Sequence, residues 1–371
     1  MSDAREQVGS LVWVGVRGGR PGEEILERDL DACARAGVGG VILFDVDVPA
    51  MERLIEGGVE TREARARARR NIESPDQVRS LCAHVRARLG DGTMIGIDQE
   101  GGRVSRLHEG NGFVLGPSPR ELATLAGEAR RAALCFQARQ VRHAGIDVNL
   151  GPCVDVAIET ESSIIARQGR SFGDNIEDVV ACAHEVIRAH TDAGVGACLK
   201  HFPGHGSARG DTHKGFVDIT ETWDRDRELE VYRRLLDDAD DSVGVMVAHV
   251  VDRTRDGSPS SLSRACVEGL LRNDLGFDGV VMTDALDMRA ITSVCPIEEA
   301  CVRAIEAGCD VVMDGFNLEP DREDHPSTSI VDALRRAMRE GRLSEERIDR
   351  SLARLGRYGG ALRPSHTQYV S

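Results

Sequence analysis

Residues 279–315 read GVVMTDALDMRAITSVCPIEEACVRAIEAGCDVVMDG. Two short apolar runs, GVVMTD (279–284) and DVVMDG (310–315), flank an amphipathic stretch, PIEEACVRAIEAG (296–308). Apolar runs of this length indicate strands that are buried on both faces, and an amphipathic segment that ends in glycine is typical of a helix. The stretch therefore predicts a strand, a crossover helix and a second strand parallel to the first.

The same alternation covers most of the chain. Eight apolar runs are separated by amphipathic stretches, and they lie at residues 10–16, 40–44, 94–98, 147–156, 196–201, 244–249, 279–284 and 310–315. Eight strands that alternate with helices favour an α/β fold, a single-domain (β/α)8 TIM-type barrel, over a doubly wound open sheet. We expect the barrel to span residues 1–360, with a charged insertion at residues 46–70 near its mouth and a loose tail at residues 361–371.

A polar side chain ends nearly every predicted strand. The series comprises Asp45, Asp98, Asp155, Lys200 with His201, His249, Asp284 and Asp314. In a barrel the C-terminal strand ends converge on one mouth, where ligands bind, whereas an open sheet spreads them along a crevice. The series favours the barrel, and we predict that Lys200 and His201 contact the ligand rather than form a purely structural pair.

Residues 200–215, KHFPGHGSARGDTHKG, allow two interpretations. His205, Asp211 and His213 could bind a metal ion, although Pro203 and the glycines exclude the helical spacing of a zinc motif. Alternatively, Asp211 accepts a hydrogen bond from His213 and raises its pKa toward neutrality, so that the imidazole can give and take a proton. Glycines would let this loop close over a substrate. We favour the dyad, and we predict no metal and no other cofactor.

Asp284 ends a fully apolar strand and has several interpretations. It could cap a helix, form an ion pair at the barrel mouth, or act as a nucleophile, as carboxylates do in retaining glycosidases. Asp287, three residues later, is a reasonable helix cap.

Four further residues, on two segments, could bind a ligand. Asp98, with Arg103 and Arg106 behind it, fits hydroxyl groups better than phosphate, because no phosphate-loop motif follows. Arg170, in GRSFG, could hold a ligand carbonyl or carboxylate, or it could only fix its loop.

Composition excludes some functions. The net charge of −15 opposes binding to nucleic acid or anionic lipid, and only 4% of residues are aromatic. The N-terminus lacks the pattern of a signal peptide, so we expect a cytoplasmic protein whose ten cysteines are reduced.

The motifs LKHFPGHG and GDTH, with IDQEGGRVSRL, GRSFG and GFDGVVMTDALDM, give the chain a wider resemblance. From about residue 7 to about residue 358 it resembles glycoside hydrolase family 3, in its β-N-acetylglucosaminidase (NagZ-like) branch. The resemblance implies a retaining β-N-acetylhexosaminidase with a glycosyl-aspartate intermediate on Asp284. It implies that His213, paired with Asp211, is the acid/base. The implied sugar-binding residues are Asp98, Arg106, Arg170, Lys200 and His201.

The resemblance also implies a substrate, a terminal β-linked GlcNAc in peptidoglycan fragments that are taken up for recycling. The partners expected are this small carbohydrate and, at most, a second copy of the chain, as a monomer or homodimer, with no nucleic acid and no membrane. A β-glucosidase or a phosphorylase of the same family remains an alternative, because a histidine base would not repel phosphate. A non-catalytic sugar-binding protein is the alternative of another class. The insertion departs from the family pattern and leaves the identity of the leaving group open. Asp287 and Thr212 stand where the family often has Ser, and neither change removes a catalytic group.

Overall fold

Eight parallel strands form a closed barrel in the computed structural model, which describes residues 4–160, 163–212, 215–318 and 322–362. The strands are β1 (Val12–Gly15), β2 (Gly40–Leu43), β3 (Met94–Ile97), β4 (Val148–Asn149), β5 (Gly196–Phe202), β6 (Val243–Val247), β7 (Val281–Ala285) and β8 (Val311–Asp314). Each strand pairs with its neighbours along the chain, and β8 pairs with β1. The barrel prediction is confirmed, because an open sheet would leave β1 and β8 apart.

Helices surround the barrel. They are α1 (Ala4–Gln7), α2 (Glu24–Ala36), α3 (Val48–Glu56), α4 (Thr61–Arg67), α5 (Pro75–Leu89), α6 (Pro119–Thr124), α7 (Gly127–His143), α8 (Ile164–Arg167), α9 (Ile176–Asp192), α10 (Arg225–Asp237), α11 (Ala265–Asp274), α12 (Arg289–Thr292), α13 (Ile297–Ala307), α14 (Ser327–Arg339) and α15 (Glu345–Ala361). A short hairpin, Gln99–Gly101 with Val104–Ser105, follows β3.

The strands are apolar on both faces because each face is buried against a different layer. In β1, Val12 and Val14 belong to the large cluster that packs under the helices, whereas Trp13 belongs to a second cluster that fills the barrel interior. The indole needs room on the neighbouring strand, since a Cβ at Gly40 would come within 2.5 Å of the Trp13 ring. A continuous apolar run is thus the expected pattern for a barrel strand.

The last helix, α15, closes the bottom of the barrel and is not among the amphipathic stretches identified from the sequence. Its Tyr358 is fully buried, and the hydroxyl donates to the carbonyl of Ala197 at 3.4 Å. The helix runs to Ala361, which is exposed, and the next residue, Leu362, is buried with the barrel interior, so the predicted tail begins inside and directly after this helix. Residues 363–371 lie outside the described residues.

The insertion at residues 46–70 contains two helices, α3 and α4, at the barrel mouth. Val46 bridges Arg69 in antiparallel fashion, so the insertion leaves and rejoins the barrel at one place. Asp47 caps α3 by accepting a hydrogen bond from the backbone N–H of Ala50 at 2.8 Å. Arg65 of α4 reaches back to the carboxylate of Asp45 at the end of β2, at 2.5 Å.

All ten cysteines are free thiols, and eight of them are buried. Within the described ranges, no helix has the length and apolar character that crossing a bilayer requires.

Candidate active site

A cavity opens at the C-terminal end of the barrel strands. Its empty space, including the part open to solvent, is ≈ 700 Å³. Asp98 after β3 and Asp284 in β7 line it, together with Arg106 and Asp45. The structure therefore brings three of the predicted site residues, Asp98, Arg106 and Asp284, to one cavity at the barrel mouth, where ligands bind in this fold.

The end of β7 holds Asp284 in place. One oxygen of its carboxylate accepts a hydrogen bond from the N–H of Ala285 at 2.8 Å. The carbonyl of Ala285 in turn accepts from His249 Nε2 at 2.9 Å, and His249 Nδ1 lies 2.8 Å from the hydroxyl of Ser261. A carbonyl can only accept, so Nε2 of His249 carries the proton and Nδ1 accepts from the serine. His249, noted above only as a polar strand end, thus fixes the backbone next to Asp284.

A chain of alternating charges lies beside the cavity. Arg106 contacts Asp98 at 3.2 Å, and Lys200 Nζ lies 2.6 Å from Asp98 and 2.7 Å from Glu100. Arg170 makes two hydrogen bonds to Glu100, at 2.9 and 2.7 Å. The predicted residues Lys200 and Arg170 are buried here and reach the cavity through the carboxylates they hold.

This pairing keeps each group charged despite its burial. Burial opposes ionisation of Asp98, but the charges of Lys200 and Arg106 hold its pKa well below the usual range. Burial likewise opposes ionisation of Glu100, yet Arg170 and Lys200 lower its pKa to about 2. Burial disfavours the Lys200 ammonium, and the two carboxylates outweigh this and raise its pKa. Asp98 therefore presents a permanent acceptor to the cavity.

The charge chain continues through His201. Arg170 Nη2 lies 3.2 Å from His201 Nε2, and His201 Nδ1 lies 2.7 Å from Asp155. Because arginine can only donate, His201 Nε2 accepts this hydrogen bond. Nδ1 therefore carries the proton of the imidazole and donates a hydrogen bond to Asp155. Asp155 also accepts from the backbone N–H of His205 at 2.8 Å, so one buried carboxylate links His201 to the following loop.

Cys153, Asp155 and His201 are, among the described residues, a group with spacing suited to a metal ion. Their contacts are those of a hydrogen-bonded cluster, because Cys153 Sγ lies 3.3 Å from Asp155 and donates to it. Burial and the negative charge of Asp155 raise the pKa of Cys153 well above its usual value. A thiol that keeps its proton is a poor metal ligand. The alternative metal set predicted from the sequence includes His213, which lies outside the described residues, as does Lys214.

The loop after β5 is fixed at its base. Glu228 of α10 accepts hydrogen bonds from the N–H groups of Gly206 and Ser207, at 3.0 and 3.1 Å, and from the Ser207 hydroxyl. A Cβ at Gly204 would lie 2.1 Å from Glu228, and one at Gly206 would lie 1.7 Å from the carbonyl of Val156. Gly204 and Gly206 thus allow close packing at the base of the loop, whereas the predicted closure of the loop over a substrate stays a prediction.

The far part of the loop lies against the segment that follows Asp284. The N–H of Ala290 donates to the carbonyl of Thr212 at 3.3 Å, six residues after Asp284. Asp211, immediately before Thr212, is half-buried. The backbone at Thr212, next to the predicted dyad residue Asp211, therefore contacts the α12 region beside the cavity.

Asp287 differs from its prediction as a helix cap. Its carboxylate accepts from the N–H groups of Gly315 and Asn317, at 3.1 and 3.2 Å, so it fixes the loop after β8. Burial raises the pKa of Asp287. Burial also raises the pKa of Asp314, and the nearby charge of Asp287 adds to this effect, so that the pKa of Asp314 is about 6.

Two buried glutamates, Glu100 and Glu228, were not identified as site residues from the sequence. In each case the local sequence pattern indicated a buried position. Glu100 lies two residues after Asp98, and alternate residues of an extended segment face the same side. Glu228 falls on the buried face of α10, one turn before Val231 and Tyr232. A glutamate inside an apolar stripe indicates a structural or functional role.

A closed (β/α)8 barrel with acidic and basic side chains at its C-terminal mouth defines the class of protein, a barrel enzyme. Residues 4–358 match the glycosyl hydrolase family 3 N terminal domain. The chain belongs to glycosyl hydrolase family 3, and it is a glycosidase.

Three similar proteins are named as enzymes that act on N-acetylhexosamines. A β-hexosaminidase, LpqI of Mycobacterium tuberculosis, is 38% identical over 275 residues, which are 72% of this chain and 68% of LpqI. The structure of a family 3 β-N-acetylglucosaminidase from Paenibacillus sp. FPU-7 superposes with a TM-score of 0.80 at 31% identity. That match covers 99% of this chain and 64% of the Paenibacillus chain. A β-N-acetylhexosaminidase from Beutenbergia cavernae superposes with a TM-score of 0.77 at 25% identity, covering 97% and 99% of the two chains.

Proposed function

We propose that the chain is a retaining exo-β-N-acetylglucosaminidase. The observation that carries the proposal is the placement of Asp284 in one mouth cavity with Asp98 and Arg106. The names of the Mycobacterium, Paenibacillus and Beutenbergia proteins support the choice of N-acetylglucosamine as the sugar.

The first half-reaction transfers the sugar to the enzyme. A carboxylate oxygen of Asp284 attacks the anomeric carbon, and the bond from that carbon to the leaving oxygen breaks. The leaving oxygen takes the bond's electron pair and receives a proton from His213, whose other ring nitrogen donates to Asp211. A covalent glycosyl-aspartate and a free alcohol result.

The second half-reaction releases the sugar. His213, now neutral, takes a proton from a water molecule, and the water oxygen bonds to the anomeric carbon as the bond to Asp284 breaks. Asp284 leaves as a carboxylate, and His213 again carries its proton. Two displacements on one carbon give net retention of configuration.

The charge chain suits the binding of a neutral sugar. Asp98 accepts hydrogen bonds from hydroxyl groups, and Arg106 donates to oxygens of the same ring. Lys200, Arg170 and His201 hold these groups from behind, directly or through Glu100 and Asp155. Fixed dipoles and charges stabilise the transition state without reorganising during the reaction.

The natural substrate that we propose is a peptidoglycan fragment with a terminal β-linked GlcNAc, hydrolysed in the cytoplasm by a monomer or homodimer. The acidic surface disfavours nucleic acid and anionic lipid as partners.

Hydrolysis of aryl β-GlcNAc and aryl β-glucoside, with and without inorganic phosphate, tests this function. We expect faster release from the GlcNAc substrate, with free GlcNAc as the product in both buffers. Preference for the glucoside would contradict the proposed sugar. A sugar 1-phosphate as the main product would show a phosphorylase instead.

A further inference from the structure

A second, larger opening adjoins the catalytic cavity. Its empty volume, including the part open to solvent, is ≈ 1910 Å³. Asp45 and Val46 line both this opening and the catalytic cavity. The remaining walls come from the insertion, through residues 61–69, and from the hairpin and turn at residues 102–115. A substrate whose terminal sugar occupies the catalytic cavity would therefore extend its leaving group into this opening.

Arginine dominates the lining of this opening, which we call the arginine groove. Its four arginines are Arg62, Arg65, Arg69 and Arg103, and its two carboxylates belong to Asp45 and Glu109. Four positive charges against two negative ones make the groove locally basic, although the chain as a whole carries −15.

Most of this positive charge is not neutralised by neighbouring side chains. Within the described ranges, Arg62 and Arg103 are exposed and have no ion pair, and the side chain of Arg69 bonds to the carbonyl of Gly110 at 2.9 Å. Of the four, only Arg65 forms an ion pair with a described residue, the buried Asp45. The charge chain beside Asp98 contrasts with this, because each of its cations faces a carboxylate.

Buried polar atoms in the lining of the arginine groove also lack hydrogen-bond partners among the described residues. They are the hydroxyl of Ser105, which is 2% exposed, Nε of Arg65 and Oδ1 of Asp45. Buried polar atoms ordinarily have a partner, so these three indicate that a polar ligand group contacts the inner end of the groove.

We propose that the insertion at residues 46–70 builds a subsite for a leaving group that carries carboxylates. Guanidinium groups bind carboxylate through paired, charge-assisted hydrogen bonds, and Leu115, 42% exposed on the same wall, provides apolar contact beside them. This inference rests on the proposed function, and it adds the residues that select the leaving group.

The position of the groove predicts which kinetic step it affects. The leaving group departs in the first half-reaction, so contacts in the groove cannot influence hydrolysis of the glycosyl-enzyme. We therefore expect the groove to change kcat/KM while the breakdown rate of a preformed intermediate stays constant.

Two disaccharides test the subsite, because they differ only in the lactyl ether of the leaving sugar, which carries its carboxylate. They are GlcNAc β-1,4-linked to N-acetylmuramic acid and GlcNAc β-1,4-linked to GlcNAc. At low salt we expect kcat/KM to be about tenfold higher for the acidic disaccharide, with the preference shrinking as ionic strength rises. In the double variant Arg62→Gln/Arg103→Gln the ratio of the two constants should fall by about three- to tenfold, as expected for two solvent-exposed contacts.

A matched control removes two exposed arginines far from the groove. Arg28→Gln/Arg350→Gln alters net charge by the same amount and should leave the ratio unchanged. Equal ratios in the wild type and the groove variant, or an equal fall in both variants, would overturn the inference. If the groove variant changes only the yield of sugar 1-phosphate in phosphate buffer, the groove serves free phosphate and the inference is wrong. No GlcNAc release from either disaccharide would instead remove the proposed function.

Discussion

Two regions at the barrel mouth each contain a buried glutamate, and their electrostatics are opposite. In the wall formed by the ends of β3 and β5, Glu100 lies between Lys200 and Arg170, and its pKa falls to about 2. At the base of the loop after β5, the hydrogen-bond partners of Glu228 among the described residues are backbone N–H groups and a serine hydroxyl. Burial and the charge of Asp155 raise the pKa of Glu228 to about 8, against those hydrogen bonds.

The difference shows that burial alone does not decide ionisation; the nearest charges do. The wall is a set of paired charges that stays fixed over the whole neutral range. The loop base is a carboxyl that titrates near neutrality and holds the backbone leading to Asp211. We infer that the wall orients the sugar, whereas the loop base responds to pH.

Glu100→Gln should have the largest effect on stability, because it leaves two buried cations with one carboxylate fewer. Breaking a buried ion pair from one side costs about 3–5 kcal/mol. Chemical denaturation of the variant measures this loss. Glu109→Gln is the matched control, since Glu109 is exposed in the arginine groove, and its effect should stay within about 0.5 kcal/mol. Equal effects of the two substitutions would contradict the paired-charge account.

Glu228→Gln should remove a pH dependence of stability. The folded pKa is raised from 4.5 to about 8, so between these values the folded state binds more protons than the unfolded state. The free energy of unfolding therefore falls as pH rises through this window, by at most about 1.4 kcal/mol per pH unit from this group. Denaturation of the wild type and the variant at pH 5, 6.5 and 8 measures the slope.

The control for this slope is Glu221→Gln, an exposed glutamate just before α10. Its slope should equal that of the wild type, and the slope of Glu228→Gln should be smaller. A slope that Glu228→Gln leaves intact would assign the pH response to other groups.

The sequence predicted the barrel well because each of its strands is apolar on both faces. The strand ends also brought Asp98 and Asp284 to the mouth, since strand order and barrel closure fix where those ends lie. The charge partners were harder to predict: Glu100 meets Arg170 and Lys200 across 70 and 100 residues of chain, and nothing local indicates such pairings. Helix α15 was missed for a related reason, because the barrel floor that buries Tyr358 exists only once the barrel has closed.

Asp287 illustrates the limit of local patterns. An aspartate shortly after a strand is typical of a helix cap, and the sequence offered nothing against that interpretation. Its actual partners, the backbone of Gly315 and Asn317, belong to the next strand-to-helix loop. Neighbouring strands of a barrel decide such contacts, and they are distant in sequence.

The central claim is that Asp284 forms a covalent bond to the sugar, and trapping the intermediate tests it most directly. A 5-fluoro N-acetylglucosaminyl fluoride should inactivate the enzyme, because the fluorine slows the second half-reaction. Tryptic mapping should then find the added sugar on the peptide of residues 273–289, and fragmentation should place it on Asp284 rather than Asp287. Asp284→Asn should take up no label. A label on any other residue, or full labelling of Asp284→Asn, would contradict the account.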